Sequence, residues 1–567
     1  MISVLPSMEI NRRFDVKRVL THMSSATTDT IRWRHVSILV LFVLISGNLS
    51  FYHQLTAVYP LTLDNFSFIV SLGVLVAALI LLSYCMFRLI MGARLAAVSL
   101  LLLTCSSAFF TDQFGIVIDY TMVDSFVQTD SREMQGLLSP SFLIRILLLG
   151  VVPAIIVLRL PTLKVSHLHE WRRSGFLMGS ALLVVIVCLA SFSPFYASFF
   201  RDHKAIRYYV NPVNPVFAIS KYAVRKLEQP ILTSVQPILL DALAAPNTSP
   251  KLVVMVVGET ARSDRFSLNG YSRDTNPGLS AEPGIVSYPD VRSCGTSTAV
   301  SVPCMFSAVG KSDFNDRSIL ETENILDLLQ RTGVNVLWRD NNSDSKGVAL
   351  RVPFEDFRSE ERNPVCDTEC RDVGMLSGLQ DYIERQKGDI LIVLHQMGNH
   401  GPAYSERYPA EFEYFTPACH SKELSSCTKE EIDNAYDNAI RYTDFFLTKV
   451  ISLLKDNRDV FDTTMLYVSD HGESLGEKGV YLHGMPYMIA PEAQTSVPVI
   501  VWEGSGHGGV GEDNDLSQAL SHDDLFKSLL TTYGIQNVSA VEGRSFLSTR
   551  TDEPETRFAS AEEYNED

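Results

Sequence analysis

Apolar residues crowd the first third of the chain and then thin out. Five runs before residue 200 approach the ~20 residues needed to cross a bilayer: about 36–57, 66–87, 95–111, 141–158 and 174–192. The pattern predicts a five-helix transmembrane domain over 1–192. After residue 250 the period changes. "KLVVMVV", "VNVLW", "DILIVLH" and "TMLYVS" are short runs of Val, Ile and Leu without polar alternation, as expected of strands covered on both faces. Between them, "SILETENILDLLQRTG", "MLSGLQDYIERQKG" and "EEIDNAYDNAIRYTDFFLTKVISLLKDN" repeat apolar residues at intervals of three and four and end near Gly or Asn, which predicts helices. Strand-helix alternation implies an α/β soluble domain over 251–567, a mostly parallel sheet with helices on both faces. The Pro-punctuated stretch 193–250 mixes aromatics and cations. It reads equally as a connector lying in the headgroup zone or as a plain linker.

Charge gives the apolar third a direction. Arg12, Arg13, Lys17, Arg18, Arg32 and Arg34 precede the first run, Arg88 and Arg94 follow the second, and Arg159, Lys164, Arg172 and Arg173 follow the fourth. The other two gaps are acidic, one with Asp64 and one with Asp112, Asp119, Asp124, Asp130 and Glu133 against a single Arg132. The positive-inside rule then puts the N-terminus in the cytoplasm, and five crossings export everything after about residue 192. A cleaved signal peptide does not fit, because the first run starts late and four more follow. Residues 1–200 carry a net charge of +4 and the remainder −21. That acidic remainder excludes a nucleic-acid partner, which would need a basic stripe.

Cysteine usage bears on the same topology. Cys85, Cys105 and Cys188 fall in apolar spans and read as small buried hydrophobes. The other six fall in close pairs: Cys294 with Cys304, Cys366 with Cys370, Cys419 with Cys427. Six cysteines permit fifteen pairings, of which nearest-neighbour bridging is the economical one. Disulfides suit an oxidising compartment. Zinc binding by these cysteines is the rival, against which stands the absence of C-x₂-C spacing.

In α/β sheets ligands gather at the carboxyl ends of the strands, and here each predicted strand ends in chemically capable residues. "VVMVV" runs into Gly258, Glu259 and Thr260; "VLW" into Arg339, Asp340, Asn341, Asn342 and on to Lys346; "ILIVLH" into "QMGNHGP" with His400; "MLYVS" into Asp470 and His471. A single carboxylate at such a place ordinarily caps the next helix. Four such tips on one edge suggest a site. Glu259, Asp470 and His471 form an O, O, N ligand set with a position left open, as catalytic zinc uses; manganese competes, and the imidazole favours zinc. "SCGTSTAVSVPC" could supply the reacting group, since a bridge between its cysteines would clamp Thr296, Ser297 and Thr298. A bound dication lowers the pKa of a coordinated water from ~15.7 to near 7 and would do the same for a hydroxyl. The alternative is a helix N-cap beside a structural disulfide.

Longer motifs carry a resemblance. "VVGETARSDRFSLNGYSRDTNP", "SCGTSTAVSVPCMFS", "LWRDNNSDSKG", "ECRDVGML", "LHQMGNHGPAY" and "YVSDHGESLGEKGVYLHGMP" resemble, in order and without gaps, the phosphoethanolamine transferases that modify lipid A, including the transferable colistin-resistance enzymes. The resemblance implies an alkaline-phosphatase or sulfatase-like fold, anchored in the bacterial inner membrane and facing the periplasm. It implies that Glu259, Asp470 and His471 bind zinc, and that Thr298 is both zinc-bound and the nucleophile that becomes phosphoethanolaminated. His400 and His483 match histidines near the phosphoryl group or a second metal; Asn342 and Lys346 match residues that bind the phosphoethanolamine moiety. The six cysteines match three disulfides in the nearest-neighbour pairing. Phosphatidylethanolamine would be the donor, lipid A the acceptor, a monomer the working form, and weaker binding of cationic peptides such as polymyxin the result. The rival readings are transfer to another envelope acceptor such as core sugar or Kdo, a hydrolase of the same fold, and a membrane-anchored binding or sensory protein.

Overall fold

A computed structural model describes residues 27–128, 134, 137–227, 235–244, 249–315, 318–504, 520–536, 541 and 543–547. The chain divides into two compact units. The first comprises 1–230 with 421–429 and 474–490; the second comprises 231–420, 430–473 and 491–567.

In the first unit the helices include α1 (Trp33–Ser46), α2 (Leu49–Val58), α3 (Leu63–Met91), α4 (Ala93–Phe114), α5 (Pro140–Arg159), α6 (His167–Ser191) and α7 (Val213–Leu227). Among the described residues, α3, α4, α5 and α6 are each long and apolar enough to span a membrane, and α1 with α2, bent by 60° at their break, passes the same test as a pair, a fifth span if the two cross as one. The bend falls at Gly47 and Asn48. A Cβ on Gly47 would meet Thr104 Cγ2 at 2.3 Å, so only glycine lets α4 approach there. The Asn48 side chain turns away to exchange hydrogen bonds with Asn211, donating to its carbonyl and accepting its N–H, both at 2.9 Å. Buried charge in this unit is paired. Arg88 on α3 meets Glu170 on α6, and Thr30 donates to the same carboxylate at 3.0 Å; Arg145 meets Asp112.

The second unit is built on an eight-stranded sheet. Its strands are β1 (Lys251–Gly258), β2 (Ile285–Arg292), β3 (Asn335–Asp340), β4 (Phe354–Asp356), β5 (Ile390–His395), β6 (Asp462–Ser469), β7 (Ser496–Glu503) and β8 (Leu520–Ser521), in spatial order β8-β2-β7-β6-β1-β5-β3-β4. β7 alone is antiparallel to its neighbours, so seven strands share a direction and deliver their carboxyl ends to one edge. The four expected strands are β1, β3, β5 and β6. β2 and β7 escaped the sequence pattern because "IVSYPDVR" and "SVPVIVWE" each carry a proline, which a strand interior tolerates only at an edge or bulge. The register of β7 shifts between Val497 and Val499, around Pro498.

Both sheet faces are covered. Val253, Met255 and Val257 of β1 join a core with α8 (Thr298–Met305), α9 (Ile325–Arg331) and α12 (Asp523–Thr532), while Val254 and Val256 at the alternate positions are equally inaccessible. The remaining helices include α10 (Leu379–Arg385) and the amphipathic α11 (Lys429–Asp456). The run read as one helix over 318–333 is two, Ser318–Glu321 and α9, because Asn324 caps α9 in a reciprocal box with Asp327.

Candidate active site

Strand direction brings the chemistry together. Glu259 follows β1, and Asp470 and His471 follow the adjacent β6; all three are wholly buried. Each offers one ligand atom, and these atoms lie within 4.8 Å of one another. His471 Nε2 is 3.3 Å from Asp470 Oδ2 and 3.5 Å from Glu259 Oε1. Its Nδ1 lies 3.0 Å from the Gly472 carbonyl. A carbonyl only accepts, so Nδ1 holds the hydrogen and Nε2 presents its lone pair to the cluster, the arrangement of a metal-binding histidine. Asp470 Oδ1 accepts the N–H groups of Thr260 at 3.2 Å and His471 at 2.7 Å, whereas Oδ2 is buried with no hydrogen-bond partner. Two buried carboxylates, an imidazole lone pair and an orphaned carboxylate oxygen fit a divalent cation: buried charge of one sign is costly until something of the other sign meets it.

Thr298 opens α8, with Ser297 as its N-cap. Its hydroxyl lies 3.1 Å from Glu259 Oε2, 3.4 Å from Glu259 Oε1 and 3.4 Å from His471 Nε2. The loop before it is closed by a Cys294–Cys304 disulfide and drawn tight by Gly295, whose N–H donates to Ser301 Oγ at 2.8 Å. Cys366–Cys370 is a second bridge, and Cys419 and Cys427 are also disulfide-bonded. Cys85, Cys105 and Cys188 are free and buried.

Asn342 joins the cluster, its Nδ2 donating to Glu259 Oε2 at 2.8 Å and to the Gln396 carbonyl at 2.6 Å. Lys346 has a left-handed backbone, φ 51°, and its Nζ donates to the Ser343 carbonyl at 2.7 Å. His400 lies in the loop after β5, where its carbonyl accepts from Arg407 Nε at 2.6 Å. His483 lies in the 474–490 segment, which packs within the first unit.

Two carboxylates support these residues: Asp340, one of the expected strand-tip residues, and Asp372, which the sequence reading did not single out. Asp340 accepts from Trp338 Nε1 at 2.9 Å, His395 Nδ1 at 2.8 Å and the N–H of Asn342 at 3.0 Å. Burial works against its charge, but His395 and these bonds hold its carboxyl below the usual range. Asp372 accepts the N–H groups of Met397 at 2.9 Å and Gly398 at 3.1 Å. Gly398 must be glycine on two counts: φ is 53°, and a Cβ would meet Glu259 N and O at 3.0 Å. Asp340 shows in sequence only as a carboxylate at a strand end, which most often caps a helix, and Asp372 lies far from any strand end.

A mostly parallel sheet carrying a carboxylate–imidazole cluster and a poised hydroxyl at one edge defines a protein of the sulfatase class. The Sulfatase family profile matches residues 251–535, and the profile described as Phosphoethanolamine transferase EptA/EptB matches 74–227. Phosphatidylethanolamine transferase Mcr-2 of Escherichia coli is 42% identical over 90% of this chain and 97% of its own length. Phosphoethanolamine transferase EptA of Escherichia coli (strain K12) is 36% identical over 87% and 92%. Among solved structures, the integral membrane lipooligosaccharide phosphoethanolamine transferase A of Neisseria meningitidis matches with a TM-score of 0.84 at 32% identity, covering 91% of this chain and 98% of that one. The chain belongs to the phosphoethanolamine transferase family. It is an enzyme with a multi-span N-terminal membrane domain and a soluble C-terminal periplasmic domain, as in its EptA relatives.

Proposed function

We propose that the protein moves phosphoethanolamine from phosphatidylethanolamine to a phosphate of lipid A through a covalent adduct on Thr298. The observation that carries this reading is the Thr298 hydroxyl, 3.1 to 3.4 Å from Glu259 and His471 in a buried cluster. A zinc ion held by Glu259, Asp470 and His471 would lower the pKa of that hydroxyl and draw negative charge from the phosphoryl oxygens. Glu259 Oε2 is the closest of the three acceptors for the Thr298 proton. Asn342 fixes that carboxylate from behind.

Thr298 Oγ attacks the phosphorus of the donor, the bond from phosphorus to the diacylglycerol oxygen breaks, and that oxygen takes up a proton as diacylglycerol leaves. A phosphate oxygen of lipid A then attacks the same phosphorus and releases Thr298, so one difficult transfer becomes two easier ones. Lys346 and Asn342 are assigned to holding the phosphoethanolamine moiety. His400 and His483 are assigned to the leaving-group proton and the phosphoryl oxygens, for which an imidazole pKa of ~6.5 is suited. Lipid substrates explain the membrane domain, which keeps the site where headgroups are concentrated. Modified lipid A would carry less negative charge and bind cationic peptides less well.

Intact-mass measurement after exposure to phosphatidylethanolamine tests the reading. Wild type gains one phosphoethanolamine and Thr298→Ala gains none; equal gain by both would refute it. Donor labelled in its headgroup should pass label to lipid A, whereas free phosphoethanolamine as sole product identifies a hydrolase.

A further inference from the structure

His522 is buried, and nothing in the mechanism above uses it. It follows β8 and precedes α12, with its ring between two segments distant in sequence. The Cys294 N–H donates to Nδ1 at 3.1 Å, so that nitrogen carries a lone pair. Nε2 lies 2.9 Å from the Ser469 carbonyl, which only accepts, so Nε2 carries the hydrogen. One neutral tautomer satisfies both bonds. Burial pushes the imidazole pKa down to about 4, which keeps that tautomer in place.

The two segments matter. Cys294 begins the disulfide loop that leads to Thr298. Ser469 ends β6 immediately before Asp470 and His471, and its Oγ accepts the Ala261 N–H at 2.9 Å two residues beyond Glu259. A disulfide fixes the ends of a loop to each other, not to the sheet. The neighbouring Asp523 strengthens the attachment: its Oδ1 accepts the Lys311 N–H at 2.9 Å, and Lys311 Nζ donates to the Ser293 carbonyl at 3.2 Å.

We propose that His522 is a positioning residue that ties the Thr298 loop to the strand end bearing Asp470 and His471, and so holds the hydroxyl at reacting distance from the cluster. The proposal rests on the assignment of Thr298 as nucleophile. Its effect is on the rate of attack, not on donor binding, because a displacement near 1 Å costs about 10²-fold in rate.

The histidine offers a natural dissection. Asparagine places Oδ1 where Nδ1 stands and preserves the bond from Cys294; glutamine places Nε2–H where the ring Nε2 stands and preserves only the bond to Ser469. Full-length wild type, His522→Asn and His522→Gln are compared for melting temperature, zinc content, donor KM, kcat and the rate of Thr298 adduct formation. The expected result is that both variants, each keeping one end of the link and losing the other, are slower in adduct formation and kcat by about 10²-fold, with KM and zinc content unchanged. The proposal is overturned by a wild-type rate of adduct formation in either variant, by a change confined to KM or zinc content, or by failure of both variants to fold. Thr298→Ala run alongside separates the two ideas. An adduct surviving that substitution defeats the nucleophile assignment, whatever the His522 variants do.

Discussion

Buried carboxylates are handled differently in the two units. In the membrane unit Glu170 meets Arg88 and Asp112 meets Arg145, so charge is answered within the chain and the pairs join helices. At the edge of the periplasmic sheet Glu259 and Asp470 converge on each other and on an imidazole lone pair, with Asp470 Oδ2 left without a hydrogen-bond partner. A self-neutralising pair builds architecture. A converging set of acceptors leaves room for a ligand of opposite charge.

That contrast can be broken at several points. The largest effect should come from His471→Ala, which removes the lone pair: zinc content by elemental analysis falls to background and transfer drops by about 10³-fold or more. Asp470→Asn sharpens it. In chelator-treated protein this variant should melt above wild type, because two converging carboxylates no longer repel; with zinc restored the order reverses, since binding stabilises only what can bind.

In the membrane unit the expected effect is on stability alone. Arg88→Met leaves Glu170 buried and should cost about 3 to 5 kcal/mol, whereas Arg88→Met with Glu170→Met should be close to neutral. Detergent melting curves distinguish the two.

A smaller effect separates hydrogen bonding from charge pairing. Asp444 accepts the N–H groups of Gly278 at 2.8 Å and Leu279 at 2.9 Å, and burial pushes its pKa up to about 6. Between about pH 4 and 6 the folded state holds a proton there that the unfolded state has lost. This group therefore favours folding in acid and weakens it as pH rises through 6, by about 3 kcal/mol in all. Asp444→Asn should remove that component of the pH dependence. Least of all, Arg292→Ala should leave melting within experimental scatter, because its pairs with Glu492 and Asp290 are solvent-exposed and such pairs contribute ~1 kcal/mol or less.

The sequence made visible whatever is written in local pattern. Residues 252–257, 390–394 and 465–468 are unbroken apolar runs that read as interior strands, and the polar residues beyond two of them pointed to Glu259, Asp470 and His471. Pro498 hid β7, since its accommodation depends on a bulge that only neighbouring strands define. Asn324 hid a helix break, because its capping of α9 requires Asp327 to fold back. Asp340 pairs with His395, and Asp372 and His522 act through partners up to 228 residues away; nothing adjacent in the chain says which distant partners those will be. "SHDDLF" reads as an ordinary helix start until Cys294 and Ser469 are beside it.

The loop that carries His483 has its packing partners among the membrane helices: Val480 and Met485 belong to the same apolar cluster as α3 and α4, and a Cβ on Gly115 would strike the Gly479 carbonyl at 2.3 Å. Excising the periplasmic half would therefore leave a histidine-bearing loop unmoored. On the proposed role of His483, a water-soluble fragment would turn over more slowly than the full chain, and the spans would serve that loop as scaffolding as well as a tether.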